Sequence, residues 1–454
     1  MKKLITMFIT ACCICWLCKG TTADEQIMHY AAPTILPHVR PEMQTAGFWV
    51  SRNPHADEII IPARIIPVFN KTIQENLKLT RNMTEFPSTV SGVIYFDKLQ
   101  NKLSSLRNNG YFTSEGIIAD QKFFNLIENN MNLKLIGKIL PVKFGFILFN
   151  ADQRQLPTLQ HLYVTAGNVD FDELQENALD VGTPVEVIHQ TKDGEWYYVL
   201  GPASEGWIKA DLIGLCEQYV FQQYLSHKQF LVVTRAKIDI FIDDKLTQFY
   251  GSARMGSRFF VKDDSDPEIF QIYLPSRKRE EFEISKAYIS RQGVHIGYLD
   301  HTARHVIQQA FEMLNTPYGW GGMNNEQDCS QFIQEIYATM GIQLPRNSSD
   351  QAQIGKELAA FTDETKDSKK LDVILHSASP GNSMFYMKGH IILFLGVVDD
   401  VPFAIHDIWA YRERIGREDV ARVLNRVAVT DLSLGTGSRK GSLLSRILQI
   451  RMIQ

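Results

Sequence analysis

The sequence is short of cysteine and has no strong excess of charge of either sign. It carries 6 cysteines in 454 residues, and four of them, Cys12, Cys13, Cys15 and Cys18, stand close to the N-terminus. The other two, Cys216 and Cys329, are too few for a disulfide framework. A net charge of -4 gives no electrostatic case for binding nucleic acid. The sequence also lacks a phosphate-binding loop and a dinucleotide fingerprint, which argues against the common nucleotide-dependent enzymes.

The N-terminus has the features of an export signal. Met1-Lys2-Lys3 precedes an apolar stretch over residues 4–18, and small residues follow up to Ala23. So short a stretch is typical of a secretory signal, since a spanning helix needs about 20 apolar residues. We therefore expect a signal peptide over residues 1–23, export to the periplasm or beyond, and no membrane span in the mature chain. Ile9-Thr10-Ala11-Cys12 also resembles a lipobox, so a lipoprotein anchored through Cys12 stays open.

The rest of the chain divides into four parts. Residues 24–140 mix helical and extended patterns, which predicts a mixed or helical N-terminal module. The stretches 141–216 and 217–297 consist of short alternating runs separated by Gly, Asp and Pro, and they predict two small β-barrels. In the first of these, an Asp-Gly turn, adjacent aromatic residues and Gly-Trp-Ile resemble a bacterial SH3-like domain. Residues 298–454 alternate helices and strands, which predicts an α+β domain.

Cys329 stands where a helix is predicted to begin. Asp328 and Gln331 have the spacing of a capping box, and apolar residues recur at helical spacing over the following turns. The unpaired amides and macrodipole of a helix N-terminus favour a thiolate. The glycine-rich residues 319–322 would let backbone approach a substrate closely. Cys216 lies between apolar strands and is interpreted as a small core residue.

Two histidines follow in positions that suit a cysteine nucleophile. His390 opens an apolar strand, and His406 ends the next strand. If the two strands form a hairpin, His406 can bond one ring nitrogen of His390 and leave the other facing the sulfur. That arrangement makes His390 the base and His406 its orienting partner. His376, in an irregular polar segment, is a weaker candidate for the base.

The motifs together resemble the NlpC/P60 family of cysteine peptidases, whose catalytic domain has a papain-like α+β fold. The matching segments are Pro317-Tyr318-Gly319-Trp320-Gly321-Gly322, Asp328-Cys329-Ser330, Gly341-Ile342-Gln343-Leu344-Pro345-Arg346-Asn347-Ser348, Gly389-His390 and Ile405-His406. The order of domains, with an N-terminal module and two SH3-like barrels (141–216 and 217–297) ahead of the catalytic domain, resembles the dipeptidyl-peptidase VI branch. Enzymes of that branch cleave the bond from γ-D-glutamate to a diamino acid in peptidoglycan. The resemblance implies peptidoglycan stem peptides or muropeptides as substrates, with a free N-terminal L-alanine. It implies a monomer that needs no metal or organic cofactor.

The resemblance also assigns roles to further residues. Tyr318 would lie beside the oxyanion, and the substrate cleft would be shaped by Asp328, Ser330, Arg346 and Ser348. The first SH3-like domain would form one wall of the cleft, for which Tyr197 and Tyr198 are the candidates. This chain departs from the family pattern at two positions. Gln331 stands where many relatives have Gly, and its side chain could narrow the cleft. Asn347 stands where some relatives have Asp, and the missing charge puts the preference for a free amine in question.

Two other functions stay open at this point. The SH3-like domains could bind the cell wall while the C-terminal domain is inactive, or the thiol could serve an acyltransferase through a thioester. The accepted diamino acid is also undecided. His301 and His305 are four residues apart, as in some metal sites, but no glutamate stands between them in the position that a zinc peptidase needs. We interpret both as ordinary surface residues.

Overall fold

A computed structural model describes residues 28–279 and 281–454. The expected signal peptide, with Cys12, lies outside the described residues. In the part of the chain that the structure describes, no helix is long and apolar enough to cross a membrane.

The N-terminal region is divided between two neighbouring domains. Its elements are β1 (His29–Ala31), α1 (Ala46–Val50), β2 (Ile59–Ile61), α2 (Ile66–Lys71), β3 (Thr89–Ser91), α3 (Gly92–Asn108), α4 (Gln121–Asn130) and β4 (Ile139–Pro141). Strand β1 pairs in parallel with the C-terminal sheet, and Trp49 of α1 is buried in the C-terminal core. Helices α3 and α4 instead bury Leu103 and Phe124 against the strands of the region that follows them, residues 143–216. The single module expected over residues 24–140 is therefore two segments, because their apolar faces are buried in different cores.

The next region forms an antiparallel sheet of seven strands with the order β11-β5-β8-β9-β10-β6-β7. The strands are β5 (Lys143–Ile147), β6 (Ala151–Arg154), β7 (Gln175–Leu179), β8 (Pro184–Gln190), β9 (Trp196–Leu200), β10 (Glu205–Lys209) and β11 (Ile213–Cys216). Successive side chains of β9 point to opposite faces of the sheet. Trp196 and Tyr198 therefore pack with α3 and α4, whereas Val199 packs in a second core formed by the strands of this sheet. We call this region the first barrel.

A second sheet of seven strands follows, which we call the second barrel. Its elements are α5 (Gln218–Leu225), β12 (Phe230–Val233), β13 (Lys237–Phe241), β14 (Phe249–Arg254), β15 (Arg258–Asp263), β16 (Ile269–Lys278), β17 (Glu281–Ser290) and β18 (Val294–Ile296). The order is β14-β13-β17-β16-β15-β12-β18. Inward-facing residues such as Ile240, Phe259 and Ile272 are fully buried, as the alternating pattern predicts.

The C-terminal region is a mixed sheet covered by helices on both faces. Its elements are β19 (His301–Thr302), α6 (Ala303–Glu312), α7 (Cys329–Ala338), α8 (Ser348–Gln351), β20 (Lys356–Ala360), α9 (Asp367–Ser377), β21 (Ser383–Met387), β22 (His390–Val398), β23 (Val401–Ile415), β24 (Glu418–Asp431), α10 (Leu443–Arg446) and β25 (Gln449–Met452). The strand order is β1-β24-β23-β22-β21-β25-β20. The predicted α+β class is confirmed.

Helix α7 is fixed firmly against this sheet. Its Phe332, Ile333, Ile336 and Tyr337 are all 0% exposed and pack with the side chains of β22 that face the same core. Full burial of each such side chain contributes about 1.5–3 kcal/mol. This packing therefore fixes the position of the first turn of α7, which carries Cys329, relative to β22.

The interpretation of His301 as a surface residue is wrong. His301 lies in the short strand β19, is 1% exposed, and packs edge-on against Tyr337 with ring centroids 5.6 Å apart. Pairing of β19 with β2 buries this position, which the spacing to His305 could not reveal.

Candidate active site

Cys329 occupies the first position of α7. The side chain of Asp328 accepts a hydrogen bond from the Gln331 amide at 3.0 Å, which is the capping interaction expected from the sequence. Cys329 is 7% exposed, and the backbone N–H of Ile391 lies close enough to its sulfur to lower the pKa of the thiol. The nucleophile candidate thus lies between the start of one helix and the start of β22.

His390 and His406 are joined by a hydrogen bond. The hairpin of β22 and β23 brings Nε2 of His390 to 2.7 Å from Nδ1 of His406, and Nε2 of His406 lies 3.0 Å from Thr430 Oγ1. If His406 donates to Thr430, its Nδ1 accepts from His390, so the lone pair of His390 is on Nδ1. This assignment leaves Nδ1 of His390 able to take a proton from a thiol.

The environment of Cys329 and His390 opposes the thiolate that a helix N-terminus favours. Burial raises the pKa of the Cys329 thiol, and the neighbouring charge of Asp328 raises it further, although the Ile391 amide lowers it. Burial also lowers the pKa of His390 well below 6.5, with a further decrease from the positive charges around it. At neutral pH these directions favour a neutral thiol and a neutral imidazole at rest.

Asp328, Ser330 and Arg346 form one buried network under the first turn of α7. Arg346 makes a bidentate pair with Asp328, with Nη2 at 2.6 Å and Nη1 at 3.0 Å from the two carboxylate oxygens. Nη1 also donates to Ser330 Oγ at 2.9 Å, while Nε donates to Asn177 of the first barrel at 2.7 Å. Burial alone would raise the pKa of Asp328, but Arg346 lowers it below 3.8. These three side chains satisfy one another, so they position the start of the helix.

Two other expected residues lie near this network. Burial raises the pKa of the Tyr318 phenol, and its acidic neighbours Cys329 and Asp328 raise it further, which places Tyr318 close to both. Ser348 is the first residue of α8 and is half-buried. Asn347 before it is exposed, and its side chain forms no cap on α8.

The structure puts Tyr197 and Tyr198 away from the expected wall. Tyr198 packs against Tyr95 of α3 and donates to Glu205 at 3.0 Å, while Tyr197 packs on the interior of the first barrel. Two strands, β10 and β6, separate β9 from β7, the strand that meets the catalytic domain. The correction follows from strand order, which the sequence does not give.

The surface of the first barrel that contacts the catalytic domain lies around residues 171–178. Trp320 donates from Nε1 to the Asp172 carbonyl at 3.0 Å and packs edge-on against Phe171 at 5.2 Å. Gln175 donates to the Gly321 carbonyl at 3.1 Å. Gly321 has φ of 59°, and a Cβ there would lie 2.6 Å from the Gln175 side chain. The glycines before Cys329 therefore allow close contact with the first barrel.

Arg254 of the second barrel links all three domains, and the sequence analysis did not identify it. It is 1% exposed, and its guanidinium donates to Asp180 at 2.9 Å and to the carbonyls of Ala178 at 2.8 Å and Glu326 at 3.0 Å. With its amide oxygen towards Arg254, Gln331 accepts from Nη2 at 3.1 Å. Gln331 is 3% exposed and is held by Arg254, so it does not narrow the cleft.

A second pair that the sequence analysis missed lies behind the histidines. Gln327 donates to Asp407 Oδ2 at 3.0 Å and to Thr316 Oγ1 at 2.7 Å. Asp407 is fully buried, its Oδ1 has no hydrogen-bond partner, and burial raises its pKa well above 3.8. In the sequence, the position of Asp407 directly after His406 could have indicated that it lies close to the site.

Comparison with known sequences assigns two of these regions. The model of the NlpC/P60 family matches residues 315–406, a stretch that contains Cys329, His390 and His406. This is an NlpC/P60 domain. Residues 161–209 match the SH3 domain of the SH3b1 type, which confirms the SH3-like prediction for the first barrel.

One curated protein and one solved structure are similar to larger parts of the chain. A γ-D-glutamyl-L-lysine dipeptidyl-peptidase of Bacillus subtilis (strain 168) is 28% identical over 149 residues, which cover 30% of this chain and 48% of that protein. The match thus spans about half the length of this curated relative. An NlpC/P60 endopeptidase from Photobacterium damselae subsp. piscicida superposes with a TM-score of 0.74 at 18% identity, over 94% of this chain and 98% of that one. That likeness shows that the whole arrangement of domains is shared.

Proposed function

We propose that this protein is a cysteine endopeptidase that cleaves the bond between γ-D-glutamate and a diamino acid in peptidoglycan stem peptides that begin with free L-alanine. The observation that carries the proposal is the position of Cys329 at the start of α7, next to β22, whose first residue His390 is hydrogen-bonded to His406. The activity of the Bacillus subtilis relative supports the choice of bond. We also propose that the protein acts after export, in the periplasm or outside the cell.

The proposed reaction starts from a neutral pair. As the Cys329 sulfur attacks the γ-carbonyl carbon, its proton passes to Nδ1 of His390, and the hydrogen bond to His406 Nδ1 stabilises the imidazolium that forms. The tetrahedral oxyanion would form beside Tyr318. It collapses with cleavage of the carbon–nitrogen bond, and His390 returns the proton to the leaving amine. Water, deprotonated by the same imidazole, then hydrolyses the thioester and restores the thiol.

Product analysis tests this proposal. The mature protein would be incubated with L-Ala-γ-D-Glu-diaminopimelate and with the same peptide acetylated at its N-terminus, and the products identified by mass spectrometry. We expect release of the free diamino acid, faster from the peptide with a free amine. Cys216→Ala is the matched control, because burial raises the pKa of that half-buried thiol to about 12 and it lies outside the site.

Three outcomes separate the alternatives. Loss of release in Cys329→Ala but not in Cys216→Ala supports the peptidase. Consumption of an added amine would indicate an acyltransferase instead. Absence of any product from the tripeptides and from whole peptidoglycan, with retained binding to the wall, would overturn the proposal in favour of a wall-binding protein.

A further inference from the structure

A hydrogen bond between Gln327 and Asp407 joins the two halves of the candidate active site. Gln327 lies two residues before Cys329, in the segment that leads into α7, and Asp407 directly follows His406 on β23. Nε2 of Gln327 lies 3.0 Å from Asp407 Oδ2, and both residues are buried. The bond therefore fixes the start of α7 relative to the strand that carries His406.

Gln327 also holds the segment that carries Tyr318. Its Nε2 donates to Thr316 Oγ1 at 2.7 Å, and its backbone carbonyl accepts from the Gly319 N–H at 2.8 Å. Tyr318 lies between these two contacts in the sequence and pairs with Gln327 in a short parallel bridge. The loss of the contact between Gln327 and Asp407 should thus displace Tyr318 and the start of α7 together.

The direction of these hydrogen bonds is fixed by their neighbours. Thr316 donates its own hydroxyl hydrogen to the Met313 carbonyl at 2.7 Å, so it can only accept from Gln327. The two hydrogens of the Gln327 amide therefore go to Thr316 and to Asp407 Oδ2. Oδ2 is an acceptor, so any proton that Asp407 carries is on Oδ1.

The surroundings of Asp407 provide no compensation for a carboxylate. Oδ1 is buried without a hydrogen-bond partner. Among the residues that the structure describes, Oδ2 has only the neutral amide of Gln327, and no basic side chain forms an ion pair with Asp407. Both ring nitrogens of His406 are already used, on His390 and on Thr430. A buried carboxylate with one neutral donor is costly, whereas a carboxylic acid leaves no charge unpaired.

The ionisable groups that face Asp407 are acids: Asp328, Glu335, Glu326, Cys329 and Tyr318. Burial raises the pKa of Asp407 well above 3.8; the hydrogen bond from Gln327 lowers it, and the neighbouring acids, Asp328 first, raise it further. Burial and Asp328 raise the pKa of the Cys329 thiol, and a charge on Asp407 raises it further. A carboxylate at position 407 would thus oppose the negative charge that develops on the sulfur and on the oxyanion.

We propose that Asp407 is an uncharged positioning residue, which as a carboxylic acid holds Gln327 and thereby sets Tyr318 and Cys329 relative to β23. This inference rests on the proposed function and adds a residue to the site that performs that reaction. The acid of a catalytic triad works as a carboxylate on a histidine nitrogen, and its replacement by an amide costs about 10⁴-fold in kcat. An acid that acts through Gln327 should tolerate the amide, since Asn presents the same carbonyl oxygen.

Steady-state kinetics with L-Ala-γ-D-Glu-diaminopimelate compares three variants. Asp407→Asn keeps the carbonyl oxygen, whereas Asp407→Val fills the site without a hydrogen-bonding group. Asp400→Asn, the matched control, removes an exposed carboxylate from the turn between β22 and β23. We expect kcat within about threefold of the native value for both Asn variants. Asp407→Val should lower kcat about tenfold to a hundredfold with little change in KM, since the reacting groups are misplaced.

Gln327→Met tests whether Asp407 acts through Gln327. It should lower kcat at least as much as Asp407→Val, because Gln327 also holds Thr316. Adding Asp407→Val to Gln327→Met should cause no further loss, since Asp407 then has no hydrogen bond to lose. Losses that multiply in the double variant would show that Asp407 acts on the site by another route.

The charge of Asp407 can be measured without reference to activity. Protein labelled with carbon-13 at the aspartate carboxyl carbons would be titrated by NMR, and the resonance of Asp407 identified by its absence from Asp407→Asn. We expect this resonance to keep the chemical shift of a protonated carboxyl group from about pH 5 to about pH 7, where an ordinary aspartate is ionised. This measurement and Asp407→Asn decide the proposal if Asp407→Val does not fold.

The chemical shift of a carboxylate at neutral pH, or a loss in Asp407→Asn as large as in Asp407→Val, would overturn the uncharged role while the peptidase stands. A native chain that cleaves no peptide would instead refute the proposed function, and the positioning role with it.

Discussion

Replacing Arg254 by Met should destabilise the protein and slow the reaction, because one guanidinium joins both barrels to the start of α7. The substitution keeps the apolar stem but removes the hydrogen bonds to Asp180 and to two buried carbonyls. Removing one partner of a buried ion pair costs about 3–5 kcal/mol. Two features favour the lower end of this energy range. The Asp180 side chain keeps 16% exposure, so water can still reach its charge. Burial raises the pKa of Glu335 to about 8, so this neighbour of Arg254 is mostly uncharged at pH 7. We expect a loss of about 3 kcal/mol.

Urea unfolding at pH 7 measures this loss, with Arg258→Met as the control. Arg258 lies on the next strand and is exposed; it donates a hydrogen bond to the Tyr298 hydroxyl, and its guanidinium lies over the rings of Phe230, Phe260 and Tyr298. Exposed contacts of this kind are weak and a Met side chain can still cover the rings, so the substitution should cost about 1 kcal/mol or less. Adding Asp180→Asn to Arg254→Met should recover part of the stability, because it removes the unpaired charge. Displacement of β7 should lower kcat/KM by about tenfold or more. A cost below about 1 kcal/mol for Arg254→Met, or no recovery in the double variant, would show that the buried pair of Arg254 and Asp180 does not stabilise the contact between the domains.

Three further predictions concern histidines. His406→Gln should lower kcat by about a hundredfold or more with little change in KM, since His390 loses the partner that orients it, and steady-state kinetics checks this. Activity needs neutral His390, and burial lowers the pKa of that residue, so the acid limb of the pH profile of kcat/KM should lie below pH 6.5. Arg446 also lowers this pKa, so Arg446→Gln should move the limb to higher pH. An acid limb at or above pH 6.5 in the native protein would contradict the effect of burial on His390. His301 has a folded pKa of about 4 against 6.5 unfolded, so the unfolded state binds more protons between these values and stability falls as pH falls through them. His301→Phe should therefore reduce the loss of unfolding free energy between about pH 7.5 and pH 4.5 by about 2.5 kcal/mol, and equal losses in both proteins would count against it.

Local patterns predicted the parts of the site that depend on neighbouring residues. The capping box at Asp328 and the helical period after Cys329 gave α7, and the turn between two apolar strands gave the hairpin that joins His390 to His406. In these elements the periodicity of side chains and the hydrogen-bonding groups lie within a few residues of each other. The family motifs added the pairing partner Arg346.

Contacts between domains could not be predicted in this way. Which face of the first barrel meets Trp320 depends on the order of strands in the sheet, so Tyr198 was assigned to the cleft although it packs on α3. Arg254 is one basic residue in a strand, and only the docking of three domains around it makes it buried. The local pattern also gave only one of the influences on Cys329: the helix terminus favours the anion, whereas burial and Asp328, which depend on the tertiary fold, raise the pKa of the thiol.

A single-turnover experiment shows whether Cys329 is the nucleophile. Protein in excess over L-Ala-γ-D-Glu-diaminopimelate would be quenched in acid at short times, digested, and mapped by mass spectrometry. We expect an L-alanyl-γ-D-glutamyl thioester on Cys329, formed as the diamino acid is released, and a loss of about a thousandfold or more in that release for Cys329→Ala. Release at a near-native rate by Cys329→Ala, or an acyl group on Cys216 in its place, would contradict it.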